Sequence, residues 1–208
     1  MVKENSSIRS FLPSAETHSY SNAKITRHKE GFYLYEVKGI QDEMAGFVVM
    51  DMSVLRNGDV NLSLRDGSNR DKQGATINFS NSISGSSMVR NMAENLRRIP
   101  YELFEHEGKI VDRMPPSPVG ARQQSSLKII PANEISQGAV RGIQGDGSTM
   151  TLMDIDVAGK GSVKVSIYRE GTVLSQRLAI NFMTALEETK FPILSATFHK
   201  IAQDLIGF

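Results

Sequence analysis

Asn61, Ser63 and Arg65 alternate with Val60, Leu62 and Leu64, and far along the chain Lys164, Ser166 and Tyr168 alternate with Val163, Val165 and Ile167. A strand places successive side chains on opposite faces, so each stretch buries one row and presents the other. The presented rows combine hydroxyls, an amide, cations and a ring. Lysine and arginine track phosphates, and a ring stacks on any base at roughly 1–3 kcal/mol per base. These rows therefore suit single-stranded nucleic acid read without regard to sequence. Tyr33 and Tyr35 share one face of an earlier strand and Phe32 and Leu34 the other, and period two does not say which pair looks outward. Lys160 flanks the second row, and Arg70, Lys72, Arg141, Arg169 and Arg177 stand near enough in sequence to add phosphate contacts. The expected nucleic-acid-binding set is thus Tyr33, Tyr35, Arg65, Arg70, Lys72, Lys160, Lys164, Tyr168, Arg169 and Arg177. Asp51, Asp154 and Asp156 work against phosphate on that part of the surface. Asp51 and Asp154 are expected to pair with cations on neighbouring strands.

Other chemistries find little support. His18, His28, His106 and His199 are scattered, with no H-E-x-x-H or metal-ligand spacing. There is no cysteine, which excludes disulfides, thiolate metal sites and a Cys nucleophile. The G-K-G and G-D-G stretches are turn signals without a phosphate loop's Lys-Ser/Thr, and no serine sits in G-x-S-x-G. The expectation is a non-enzymatic protein with no cofactor and no metal. Net charge is +1, too slight for a dedicated duplex-DNA binder. No apolar run approaches the roughly 20 residues of a membrane helix.

The positioning elements come in two similar sets. Met50-Asp51 and Val54 fall on Met153-Asp154 and Val157 at an offset of 103 residues, and Gly58, Val60 and Ser63 fall on Gly161, Val163 and Ser166. The same offset carries Ile77-Asn78-Phe79 onto Ile180-Asn181-Phe182. Self-similarity of this kind points to a repeated unit. In the first copy, strands are expected over 31–39, 46–55, 59–66 and 73–80, then a helix in which Met88, Met92, Leu96, Ile99 and Leu103 recur at helical spacing. Pro100 should kink or break that helix. In the second copy, the first strand is expected within 125–144, interrupted by Pro131, followed by strands over 148–158, 161–170 and 174–182. A closing helix then starts near Pro192, with Leu194, Phe198, Ile201 and Leu205 as its apolar stripe.

The expected fold is α+β, two ββββα repeats with antiparallel sheets each backed by a helix. The expected organisation is a disordered, Ser-rich tail 1–24, a first repeat 25–107, a Pro/Gly linker 108–124 and a second repeat 125–208, both repeats forming one compact domain. Segment 5–15 carries an Arg and no acid, as import leaders do, but Glu4 and Glu16 bracket it. A cytoplasmic or nucleoid-associated location is expected, with mitochondrial import the alternative.

Two strand-rich repeats, each closing with a helix, and an end reading FPILSATFHKIAQDLIGF resemble the Whirly family of single-stranded nucleic-acid-binding proteins, which shares its fold with the mitochondrial proteins that anneal guide RNA. The resemblance spans about residues 25–208. It implies two sheets packed roughly at right angles, and a homo-oligomer, a cyclic tetramer in the family, with helices central and sheets outward. It also implies single strands of DNA or RNA lying over the sheets. The stripe Leu194, Phe198, Ile201 and Leu205 would then be the oligomer interface. The plant members' Lys-Gly-Lys-Ala-Ala motif is absent, and RHKEGFYLYE occupies that region. The competing expectation is a structural or assembly subunit that binds protein through the same faces, edges and stripe.

Overall fold

A computed structural model of the chain describes residues 15–44, 47–68, 74–82, 87–109, 127–131, 136–145, 150–158, 162–171, 177–183 and 189–206. The fold is α+β, built on two antiparallel sheets, each a meander in which every strand pairs with its neighbour in sequence. The first has six strands: β1 (Ala15–Tyr20), β2 (Ala23–His28), β3 (Tyr33–Gln41), β4 (Val48–Leu55), β5 (Val60–Asp66) and β6 (Ala75–Phe79). Helices α1 (Ser87–Leu96) and α2 (Arg98–Glu105) follow it. The second has five strands: β7 (Lys128–Ile130), β8 (Ser136–Gln144), β9 (Thr151–Ala158), β10 (Ser162–Arg169) and β11 (Leu178–Met183), closed by α3 (Pro192–Ile206).

The alternation of β5 works as its sequence dictates. Val60, Leu62 and Leu64 are fully buried, each contributing about 1.5–3 kcal/mol by burial, while Asn61, Ser63 and Arg65 stay half-exposed. The inward row runs straight across the first sheet as Ile25, Val37, Met52, Leu62 and Ile77, each paired with the next. Its counterpart in the second sheet is Val140, Ile155, Val165 and Ile180. These rows meet in one core, with β6 against β9 and β10, and β11 against β4 and β5. Between β4 and β5 the chain turns through Arg56-Asn57-Gly58, where Gly58 takes φ +90° and its N–H bonds the Leu55 carbonyl at 2.9 Å.

Three expectations need correction. Four strands and one helix per half become six strands with two helices, and five strands with one. The expected tail 1–24 is strand from Ala15 to Tyr20 and again from Ala23. Pairing with β2 and stacking of His18 on the Phe104 ring (centroids 4.0 Å apart) hold β1, although its own residues are polar. The interrupted strand within 125–144 is two strands of a hairpin, β7 and β8, because Pro131 ends the first by withholding an N–H. The rest of the tail, residues 1–14, and most of the linker, residues 110–124, lie outside the described residues.

Both prolines act as their chemistry requires. Pro100 separates α1 from α2 and sits in the first turn of α2, where its missing N–H has no helical partner to lose. Pro192 opens α3. The start of α3 is held from across the molecule. The Glu43 carboxylate accepts the N–H of Phe191 at 3.0 Å and the Thr189 hydroxyl at 3.0 Å, and also the N–H groups of Lys190 and Met183. An acidic group is favourable there, facing unpaired amides and the positive end of the helix dipole.

Candidate nucleic-acid interface

The outer face of the first sheet carries a polar row through all six strands: Thr17, Thr26, Glu36, Ser53, Asn61 and Asn78, each opposite the next. Hydroxyls and amides bond along the surface, Thr17 to Thr26 at 3.1 Å, Asn61 to Ser53 at 3.3 Å and Ser63 to Thr76 at 2.9 Å. Above that row, Lys24 stands directly opposite Lys38 across β2 and β3. Both are exposed, and like charges facing one another across strands are unfavourable without an anion between them. Glu36 reaches Lys38 at 3.1 Å and His28 at 2.8 Å. Partial burial opposes ionisation of Glu36, but the hydrogen bonds and charges of Lys38 and His28 prevail, and its carboxyl stays below the usual value. Arg65 bonds Asp51 at 2.8 Å, as expected of that aspartate.

On the second sheet the outer face closes on itself. Asp154 is 1 % exposed and is the hub. It accepts the N–H of Gly142 at 2.8 Å, the Tyr168 hydroxyl at 3.2 Å, Arg141 at 3.3 Å, and Arg177. The Arg177 guanidinium also lies 4.9 Å from the centre of the Tyr168 ring. Burial first, and the Asp154 charge next, raise the Tyr168 hydroxyl above the ordinary phenol value.

The expected set is only partly assembled. Arg65, Lys164 and Tyr168 do face outward, with Lys164 the most exposed of the three. Tyr33 is exposed, but Tyr35 is buried and turned to the helices, its ring 6.0 Å from that of Phe104. An irregularity in the β3–β4 register between Tyr33 and Tyr35 breaks the period that would have kept them together. Arg169 has the inward parity of Val165 and Ile167 and is exposed only because β10 ends there. Ser166, expected outward, is fully buried with an unbonded hydroxyl beneath the Asp154 network. Arg177 belongs to that network, so its ring and carboxylate contacts compete with any phosphate. Arg70, Lys72 and Lys160 lie outside the described residues.

The helical stripe is also reassigned. Leu194, Phe198 and Ile201 are at most 1 % exposed within a single chain, Phe198 stacked on Phe182 at 5.9 Å. Leu205 is partly buried against the same core. The stripe is core of one chain, which removes the basis for reading it as an interface between copies.

Sequence reading missed Lys24 and Thr26 because β2 was read partly as tail, and passed over Lys38, on a strand it did expect, because the partner Lys24 facing it was not seen. The alternation of Lys24 and Thr26 with Ala23 and Ile25 is the signal that would have found them. Among the described residues no group of three His, Asp or Glu is placed to hold a metal ion. No described helix is long and apolar enough to cross a membrane. The chain matches no family model, and comparison with curated proteins and with solved structures found no similar protein.

Proposed function

We propose that this protein binds single-stranded DNA or RNA without sequence preference along the outer face of its first sheet, protecting the strand or presenting it for annealing. The observation that carries the reading is the Lys24–Lys38 pair, two cations set opposite each other on an open face lined with hydroxyls and amides. Glu36 bonds Lys38 at 3.1 Å, and a phosphate reaching both lysines would add to that pairing and relieve their repulsion. The hydroxyls and amides of the row from Thr17 to Asn78 offer donors and acceptors to sugars and bases without selecting a sequence.

The reading includes descent from a duplicated ββββα unit on a Whirly-like plan. Its support is positional. β3 and β8, and β4 and β9, have bounds related by the same 103-residue offset. Register irregularities at Val37/Ile40 and Val140/Ile143 are related by that offset too. Self-association into a homo-oligomer remains part of the proposal, through surface other than the α3 stripe.

The test is fluorescence anisotropy of the full chain with a labelled oligo(dT), repeated as salt rises. Each lost phosphate contact should lower the slope of log K against log salt by about 0.7. A Lys24→Ala, Lys38→Ala double variant should therefore flatten it by about 1.4. A slope equal to the parent's would remove this face from the site.

A second reading, a protein-binding assembly subunit, is favoured by Met44 and Phe47, 65 % and 67 % exposed at the β3–β4 connection. Absence of oligonucleotide binding at low salt, with a particle mass that falls when both are changed to Ser, would favour it.

A further inference from the structure

A further exposed ring lies off the sheet faces. Beside the β4–β5 turn, where β3 and β4 approach α2, lies an open cleft of about 420 Å³. Its floor is apolar, formed by Leu34, Val54 and Leu55, and its rim carries Arg56, Arg97 and Tyr101. Tyr101 is 45 % exposed although its neighbours Leu103 and Phe104 are core. Phe32, 68 % exposed, is tied to this rim because its carbonyl accepts the Arg56 N–H at 3.2 Å.

The arginines are set in different ways. Arg56 spends its donors on backbone, Nε to the Gly31 carbonyl and a terminal nitrogen to that of His28, both at 2.8 Å. Those bonds fix the guanidinium without neutralising it. Arg98 is answered by Glu102 at 3.4 Å, whereas Arg97 is exposed at the α1–α2 junction. A guanidinium held by carbonyls, a second reaching into solvent, an exposed phenol ring and an apolar floor ask for a ligand that is planar and apolar at one end and anionic at the other. The volume is at the small end of the range for ligand pockets, about 300–1,000 Å³, and suits one such unit rather than a chain.

The equivalent positions of the second half argue that this is a local feature rather than a by-product of the fold. Leu34 corresponds to Gln137 at the 103-residue offset of the strands. With the apolar stripes of the helices superimposed, Met92, Leu96, Ile99 and Leu103 on Leu194, Phe198, Ile201 and Leu205, Arg97 and Tyr101 fall on His199 and Gln203. The second half therefore lacks both the ring and the guanidinium.

We infer that this cleft takes a single nucleotide, its base lying on the apolar floor against Tyr101 and its phosphate held by Arg97 and Arg56. The inference rests on the proposed binding of single strands, for which the cleft would seat one splayed-out or terminal nucleotide, but free mononucleotide shares the same chemistry.

The experiment uses the full chain with three probes, dTMP, thymidine and labelled oligo(dT), and two pairs of changes. Arg97→Gln and Tyr101→Ala, both at exposed positions, alter the cleft; Lys24→Ala with Lys38→Ala alters the sheet face. Chemical-shift changes on titration with dTMP should centre on the cleft. Tyr101→Ala should weaken dTMP by about fivefold or more, the scale of one lost stacking contact. Arg97→Gln should weaken dTMP while leaving the binding of thymidine unchanged. The face variant should weaken oligo(dT) and leave dTMP as in the parent. No dTMP binding, or dTMP binding indifferent to both cleft variants, overturns the inference even if oligo(dT) still binds the face. Loss of the face effect with dTMP still dependent on Tyr101 and Arg97 sinks the sheet-face reading and upholds the cleft.

Discussion

Asp51 and Asp154 occupy equivalent places at the 103-residue offset and begin in the same way. Each accepts, at 2.8 Å, the N–H of a glycine in the left-handed region, Gly39 at φ +89° and Gly142 at φ +74°. From there they diverge. Asp51 keeps a side chain 27 % exposed and meets one cation, Arg65. Asp154 is sealed under Arg141, Arg177 and Tyr168. The residue that decides this is the one following Leu64 or Ile167 on the outer row. Arg65 reaches its aspartate directly, whereas Tyr168 supplies a hydroxyl and a ring over which Arg177 can lie. One backbone device thus serves two ends: in the first half it holds a half-exposed carboxylate paired with Arg65, and in the second a sealed one that gathers Arg141, Arg177 and Tyr168.

The sharpest way to break this comparison is to remove the two carboxylates one at a time. Asp154→Ala deprives a buried N–H, a phenol and the Arg177 guanidinium of their acceptor, while Arg141 keeps Asp156. Since Arg177 can turn to water, the loss should be about 2–3 kcal/mol, below the full cost of stranding a buried charge. Asp51→Ala removes one half-exposed ion pair and one hydrogen bond and should cost about 1 kcal/mol. Urea denaturation of both variants measures the difference. Equal losses would show that the second face is no more closed than the first.

How much of this was legible depends on whether neighbours in sequence or in space decide. Burial of Val60, Leu62 and Leu64, and of Val163, Val165 and Ile167, follows from period two, because each strand packs one face on a single core. The glycine device was also written in the chain, as Val37-Lys38-Gly39-Ile40-Gln41 against Val140-Arg141-Gly142-Ile143-Gln144 at the same offset. A first strand sought as one interrupted run through Pro131 conceals that match, and the hairpin β7–β8 restores it. The cleft was not legible. Arg56 and Arg97 are brought together by the packing of α2 on β3 and β4, and no spacing along the chain links them. Tyr35 was misplaced by a register irregularity that alternation cannot foresee.

A second contrast between the halves lies in the connection after β3 or β8. Asp42, 6 % exposed, accepts the backbone N–H of Asn181 at 2.7 Å and its side-chain amide at 2.8 Å, clasping β11. The equivalent residue, Gly145, lies so close to the backbone of Asn78 on β6 that no side chain would fit. The first half grips by charge and the second by close approach. Asp42→Gly, which gives the first half the residue of the second, should cost about 2 kcal/mol through the part-buried N–H groups of Asn181 and Met44 left without their acceptor. Gly145→Ala should cost about 1–3 kcal/mol through overpacking. Thermal unfolding of both variants checks the pair, and a neutral Gly145→Ala would mean that the approach is looser than described.

The smallest effect concerns the tyrosines, one in each half. Burial raises the hydroxyl of Tyr35 above its usual value, opposed by its hydrogen bond to Arg27, and burial followed by Asp154 raises that of Tyr168. A phenol whose folded value lies above its unfolded one favours the protonated folded state. Its contribution to stability is therefore complete below the unfolded value of about 10 and is lost as pH rises through the folded value. Ultraviolet titration of tyrosinate should show some of the five tyrosines ionising later in the native chain than in urea. Tyr168→Phe should remove part of that delay while Tyr35, and Tyr20, which burial also raises, retain the rest. It also leaves Arg177 its ring but takes one donor from Asp154, so the variant should lose only about 1 kcal/mol at neutral pH. If native and denatured chains titrate alike, neither ring is shielded as described, and the closed face of the second sheet is open after all.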